Sequence, residues 1–331
     1  MRPPVSVIIP TYNRGEFLRR GINSALEGCA ENDEIIVVDD GSTDQTRALV
    51  ESISDPRLLY IYRENSGVAT ARNHGMELAS NDLIAFLDDD DEWHPAKLAV
   101  QIALLTEHPE AVASFSNFWI TDRRGNSTNN YLLRWGQPLQ DWNQMLGTTR
   151  TFRLNGTGEE FDYYLGEHYF NQMQDDYILP STLIIDQSRL QAPLRFLDGF
   201  KRNSSWLFSS QACRQGPVIY VDFDLACQHG DADNRLTAIP IVDTVLSRLY
   251  VLENEFGKQT DFTEEQQRVF AQRLSKEAHV LFRSAMRTKT PNRRHIFQTN
   301  KHLDRKIAIA AKLPDWMLSL LSSIIRAVKG S

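Results

Sequence analysis

Cysteine is scarce in this chain. Cys29, Cys213 and Cys227 are the only three in 331 residues, odd in number and far apart. That excludes a disulfide framework or a zinc knuckle and points to a reducing compartment. Long hydrophobic runs are missing as well; none approaches the ~18–20 apolar residues needed to cross a bilayer. The opening residues, Met1-Arg2-Pro3-Pro4, run directly into an apolar strand with no h-region and no cleavage site. A cytoplasmic protein without a secretory signal is the expectation. The turn after that strand, Pro10-Thr11-Tyr12-Asn13-Arg14-Gly15, has no Gly-x-Gly-x-x-Gly pattern, which argues against a nicotinamide dinucleotide site. It also lacks the Gly-rich, Lys-containing loop that a nucleotidyltransferase on a similar sheet would use.

What is present is ordinary in amount and uneven in placement. Hydrophobic residues make up 41% and charged residues 24%, as in soluble globular proteins. The length suits one large domain or one domain plus an appendage. Residues 283–330 hold eleven Lys/Arg against two acids, Asp304 and Asp315, a net of +9; the whole chain is −7, so the remainder carries −16. A basic tail behind an acidic body suggests an acidic surface as partner, anionic lipid ahead of nucleic acid.

The first third alternates strands with helices. Residues 5–9, 34–38, 58–62 and 83–87 read as short apolar strands, with helices over 16–26, 44–52 and 68–79 between them. This is the pattern of a mostly parallel sheet covered on both faces. From 121 to 179 the pattern dissolves into Gly, Asn and aromatic residues without a clear period; a segment of that length is usually functional or mobile. Regularity returns with a strand at 181–185, a helix around 203–215 and a strand at 218–221. Beyond Pro240, helices are predicted over 242–256, over 264–286 with Thr263 and Gln266 as a capping box, and over 315–329.

Four consecutive aspartates, Asp88 to Asp91, end the fourth strand and lead into Glu92-Trp93-His94-Pro95. Like charges gathered at a strand end require something that offsets their repulsion. A divalent cation carrying a polyphosphate would do so, since hard cations take carboxylate oxygens and share themselves with substrate phosphates. An acidic turn capping the helix near Pro95 is the alternative. In open α/β sheets ligands bind outside the carboxyl ends of the strands. Four polar clusters fall there: Thr11 to Arg14, Asp39 to Ser42, Arg63 to Gly67, and Asp88 to Asp91. Their coincidence on one rim is a stronger signal than any one cluster.

Taken in order, Ser6-Val7-Ile8-Ile9-Pro10-Thr11-Tyr12-Asn13-Arg14, Val37-Val38-Asp39-Asp40-Gly41-Ser42-Thr43-Asp44, Asn65-Ser66-Gly67 with Ala71-Arg72-Asn73-x-Gly75, and Phe86-Leu87-Asp88-Asp89-Asp90-Asp91-x-Trp93 resemble the family 2 glycosyltransferases of GT-A fold. The resemblance is specific over 5–105 and looser over 180–230. It implies a GT-A type nucleotide-sugar-binding α/β fold with a mostly parallel central sheet flanked by helices. The expected division is 1–235, split into a nucleotide-sugar half (1–120) and an acceptor half (121–235), followed by a helical extension over 236–331. By the same resemblance Thr11, Tyr12 and Asp40 line the base pocket, and Arg14, Arg72, Asp88 and Asp89 meet the sugar nucleotide. Asp90 holds Mn²⁺ or Mg²⁺ on the diphosphate. The Ala226-Cys227-Gln228-His229-Gly230-Asp231 segment resembles the family's late histidine segment, so His229 is a second candidate metal ligand. The donor implied is a nucleoside-diphosphate sugar, a UDP-sugar first, and the acceptor a glycan or a lipid-linked glycan.

One part of the pattern breaks. An inverting enzyme needs a general base for the acceptor hydroxyl, which the family supplies from a Glu-Asp pair just before a Trp. Here Ser204-Ser205 precede Trp206, and a serine cannot take that role unaided. Asp198 from the preceding loop is the candidate base, with Asp162, Glu167, Asp175 and Asp176 of the irregular segment as others. A sugar-nucleotide-binding module without transfer is the remaining alternative. In the tail, Met317, Leu320, Leu321, Ile324 and Val328 share one side of the last helix, behind Arg283, Arg287, Lys289, Arg293, Arg294, Lys301, Arg305, Lys306 and Lys312. A peripheral contact with the inner face of an anionic membrane is expected from that pairing.

Overall fold

The computed structural model describes residues 2–134, 145–200, 202–230, 240–288, 290, 292–300 and 302–327, with side chains to 323 in the last stretch. Lys201, Asp231, Lys289, Lys301, Val328 and Lys329, and the Ile324 side chain, lie outside the described residues. The chain forms two compact units, Met1–Arg235 and Leu236–Ser331.

The first unit is built on one mixed sheet. Strands β1 (Val5–Thr11), β2 (Glu34–Asp39), β3 (Leu58–Tyr62) and β4 (Leu83–Phe86) are joined by helices α1 (Gly15–Gly28), α2 (Thr46–Glu51) and α3 (Val68–Leu78). They pair in parallel in the order β3-β2-β1-β4. Every residue of β1 is buried, as apolar strands covered by helices on both faces require. Gly75 lets α3 lie directly on β1: a Cβ there would sit 2.5 Å from Ile8 Cγ2. This is the physical reason for glycine in the Ala-Arg-Asn-x-Gly stretch.

Beyond β4 the sheet is mixed rather than parallel. After β5 (Asp91–Trp93) and α4 (Lys97–Glu107), β6 (Ala113–Thr121) and the short β7 (Ser127–Thr128) follow. The irregular segment then supplies β8 (Arg150–Arg153), β9 (Glu160–Gly166) and helix α5 (Tyr169–Gln174). β10 (Ile184–Asp186) runs antiparallel between β4 and β6. After α6 (Ser204–Cys213), the long β11 (Val218–His229) pairs in parallel with β6 and antiparallel with β5 and β9. The segment expected to be patternless therefore contributes a hairpin to the sheet edge. Its turn, Asn155-Gly156-Thr157-Gly158, has Gly156 at φ +94° and Gly158 at φ +74°.

The second unit is helical: α7 (Ile241–Asn254), α8 (Glu264–Arg287), α9 (Arg293–Thr299), α10 (Arg305–Ala310) and α11 (Asp315–Ala327). Val245, Leu249, Ala278, Leu281, Phe297, Ile307 and Leu318 form its own core. The Thr263–Gln266 capping box opens α8 with both reciprocal bonds made.

Candidate active site

The carboxyl ends of β1, β2 and β4 bring the polar clusters together. Thr11 Oγ1 donates to Asp89 Oδ2 at 2.8 Å. Arg14 spans the aspartate run, donating to Asp89 Oδ1 at 3.1 Å and to Asp90 Oδ2 at 3.0 Å. Asp89 is fully buried, and burial, with the neighbouring charges of Asp90 and Asp88, pushes its carboxyl up to about 7; Arg14 and Thr11 oppose the shift.

Asp88 faces outward and pairs with Arg72, whose guanidinium lies 5.1 Å over the Phe196 ring. Arg72 is buried on α3, and its Nε has no hydrogen-bond partner among the described residues. A buried cationic donor left open beside a carboxylate suits an anionic ligand.

Asp40, at the end of β2, is buried and accepts from the backbone N–H of Gly67 at 2.7 Å and of Ser66 at 3.1 Å. It thereby fixes the start of α3, and so the place of Arg72. Gly41 follows at φ +91°, where a Cβ would meet Asn65 N at 2.9 Å. Tyr12 lies on the rim of this group, 48% exposed.

The helix-capping alternative does not hold for Asp91, the last of the run. It caps no helix, because α4 starts at Lys97 with Ala96 as N-cap and no side-chain cap. It is buried in β5 and accepts from Ser181 Oγ at 2.6 Å, while Ser181 Oγ accepts from the Asp88 N–H at 3.1 Å. Ser181 thus ties both ends of the aspartate run to the chain that returns before β10. Its own backbone is held by Trp93 Nε1, which donates to Ser181 O at 2.7 Å. Lys97, fully buried, donates to Thr182 O at 3.1 Å and sits 5.0 Å from the Trp93 ring centroid. Burial lowers its pKa well below the usual lysine value. Neither Ser181 nor Lys97 carries a local sequence signal; only the sheet order brings them here.

On the other side of the run, Glu92, Cys227 and His229 gather one ligand atom each within 4.8 Å of one another. The register pairs Cys227 with Glu92 and Gln228 with Asp91, and Asp90 is outside the gathered group. His229 Nε2 bonds Glu92, and Arg20 Nε lies 3.8 Å from the same carboxylate. Burial pushes the Cys227 thiol up to about 11, so imidazole and carboxylate are the ready ligands of this group.

Asp198 is exposed on the loop after Phe196. It accepts from Thr70 Oγ1 at 2.8 Å and from Asn73 Nδ2 at 3.3 Å. Asn73 also exchanges two 2.8 Å bonds with the Phe196 backbone. The candidate base is therefore anchored to the helix that carries Arg72. Ser204 is buried and donates to Leu197 O at 3.1 Å, holding the same loop. Of the other candidates, Asp162 accepts from Thr151 on the β8–β9 hairpin.

Residues 6–166 match the family model described as "Glycosyl transferase family 2". The putative teichuronic acid biosynthesis glycosyltransferase TuaG of Bacillus subtilis (strain 168) is 36% identical over 134 residues, 40% of this chain and 53% of that protein. The putative colanic acid biosynthesis glycosyl transferase WcaA of Escherichia coli (strain K12) is 41% identical over 104 residues, 30% of this chain and 37% of its own. The match thus spans about half or less of these curated relatives. Among solved structures, S. aureus TarS 1-349 in complex with UDP superposes with a TM-score of 0.63 at 17% identity, covering 98% of this chain and 88% of that one. The complex of the same fragment with UDP-GlcNAc gives 0.57 at 18% identity, covering 86% and 83%. Residues 6–166 are thus similar to glycosyltransferase family 2, and the chain shares the mixed α/β fold of the TarS fragment.

Proposed function

We propose that this protein is a metal-dependent, inverting glycosyltransferase that moves a sugar from a nucleoside-diphosphate sugar to a hydroxyl acceptor. The observation that carries this reading is the ring of paired charges at the strand ends: Arg14 across Asp89 and Asp90, and Arg72 on Asp88 with its Nε open. A sugar diphosphate with its cation replaces such pairs charge for charge. A UDP-sugar is the donor of choice, since the similar TarS fragment was solved with UDP-GlcNAc. The names of TuaG and WcaA, for teichuronic and colanic acid biosynthesis, support a place in polysaccharide assembly; the acceptor we propose is a glycan or lipid-linked glycan, met on the cytoplasmic side.

Glu92 and His229 offer a carboxylate and an imidazole within one group, from which Asp90 stands apart. Asp90 and, from the β11 side, His229 would hold Mn²⁺ or Mg²⁺, an imidazole favouring Mn²⁺. When bound, the cation neutralises the charge that collects on the departing diphosphate. The chain's own residues do the rest. Thr11, Tyr12 and Asp40 seat the base, and Arg14 and Arg72 orient the phosphates and the donor sugar. Asp198 takes the proton from the acceptor hydroxyl as its oxygen attacks the anomeric carbon and the bond to the diphosphate oxygen breaks. Inversion follows from that single displacement.

A second reading, a sugar-nucleotide-binding module without transfer, is favoured by Ser204, whose hydroxyl is spent on Leu197 O. Turnover decides between them. A panel of sugar nucleotides with Mn²⁺ and acceptor extracts is expected to show donor consumption, lost by about a hundredfold or more in Asp198→Asn with donor binding retained. Donor binding without turnover for any acceptor would establish the binding module. An unchanged rate in Asp198→Asn would remove that residue as the base.

A further inference from the structure

Helix α11 has apolar residues on two sides, and its own unit uses one of them. Leu318 is buried in the helical core, and Ser322 is buried with its hydroxyl donating to Met286 O. Away from that contact, Trp316 is 65% exposed, Leu320 55%, Leu321 41% and Met317 38%. Trp316 with Leu320, and Met317 with Leu321, are four residues apart, so the four side chains form two adjacent rows along one open face. Open apolar rows of this kind mark an interaction surface.

The charges of the segments leading to α11 indicate what the face meets. Arg293 Nη2 donates to Ser319 Oγ at 3.2 Å, which sets α9 against the first turns of α11. Arg294 beside it, Lys312 just before α11, and Arg305 and Lys306 at the start of α10 are all exposed. The two acids in residues 283–330 are Asp304 and Asp315; Asp304 caps α10 through the Lys306 and Ile307 N–H groups. A protein groove would need the apolar rows without this excess of cations, and nucleic acid the cations without the apolar rows. An anionic lipid surface needs both. At about 1.5 Å per residue α11 is too short to cross a bilayer, so it would lie in the interfacial plane with the Trp316 ring at headgroup depth.

We propose that the open face of α11, with the exposed arginines and lysines of the segments before it, is a docking surface for an anionic bilayer. The surface is independent of the transfer chemistry, so neither proposal falls with the other. The test uses the full chain in co-sedimentation with phosphatidylcholine vesicles, with and without phosphatidylglycerol. Binding is expected on the phosphatidylglycerol vesicles, falling with added salt. It should drop about tenfold or more in Leu320→Ser/Leu321→Ser, and likewise in Arg294→Gln/Lys312→Gln. Both double substitutions lie on exposed positions, and unchanged thermal unfolding will confirm that the fold is kept. A blue shift of tryptophan emission on binding, absent in Trp316→Phe, gives a second readout. No binding to either vesicle, or binding unaltered by both variants, would overturn the proposal. So would a wild-type dimer that Leu320→Ser/Leu321→Ser dissociates without any vesicle binding, since the face would then be covered by a second copy.

Discussion

Replacing Ser181 with alanine removes one hydroxyl that serves two buried groups. Its Oγ donates to Asp91 Oδ2 at 2.6 Å and accepts from the Asp88 N–H at 3.1 Å. A hydrogen bond to a charged carboxylate contributes about 1.5–3 kcal/mol, and a buried N–H left without its acceptor costs about 1–3 kcal/mol. Some relaxation toward water at the Asp88 end, which is partly exposed, offsets part of the second figure. A net loss of about 2–3 kcal/mol is expected in urea unfolding of the full chain, followed at a signal from the first unit. For a unit of this size that corresponds to a fall of about 5–10 °C in Tm. Ser181→Thr keeps the hydroxyl and should recover most of the loss. A change below about 0.5 kcal/mol, within the range of an ordinary surface substitution, would show that Ser181 does not brace the aspartate run. Equal losses in the alanine and threonine variants would show that volume, not the hydroxyl, matters there.

Two further perturbations probe the scaffold under the site. Lys97 is buried with its pKa well below 10.5, so the folded chain holds fewer protons there than the unfolded chain in the interval between the two values. Stability contributed by this position therefore rises as pH climbs from the depressed value toward 10.5. Lys97→Met should flatten that rise in denaturation curves taken across alkaline pH; parallel curves for the two proteins would refute the assignment. Gly75→Ala places a methyl 2.5 Å from Ile8 Cγ2 and 3.3 Å from Val38 Cγ2, an overpacking of about 1–3 kcal/mol, measurable as a lower Tm. Wild-type stability in that variant would mean that α3 moves off β1 at no cost.

The gathering of the polar clusters at the strand ends was legible because its information is local. Each of its clusters follows an apolar strand, and the geometry of parallel sheets fixes where strand ends go. The partners of Ser181 lie 90 and 93 positions away, and nothing in Leu179-Pro180-Ser181-Thr182 announces them. The β8–β9 hairpin escaped for a different reason. Its outer strand, β8, is four residues long and mostly polar, and the apolar positions of β9 are aromatics in a Gly- and Asn-rich stretch, although Asn155-Gly156 is a turn signal in its own right. Likewise β11 was expected to stop at Val221, yet it continues through Asp222-Phe223-Asp224 to His229 across two register shifts. Those irregularities interrupt the alternation that would have revealed it. The acidic-turn alternative has the same root: Asp91 sits close before a helix in sequence, and only β5 and Ser181 show it to be a buried acceptor.

The central claim is that the strand-end aspartates take a metal-bound nucleoside diphosphate. Titration calorimetry of UDP against the purified protein, with Mn²⁺ and then with chelator, tests it most directly, in wild type and in Asp90→Ala. Saturable UDP binding that needs Mn²⁺ is expected, weakening by about tenfold or more in Asp90→Ala, the loss of one charged ligand contact. UDP binding of equal strength with chelator and in Asp90→Ala would contradict it.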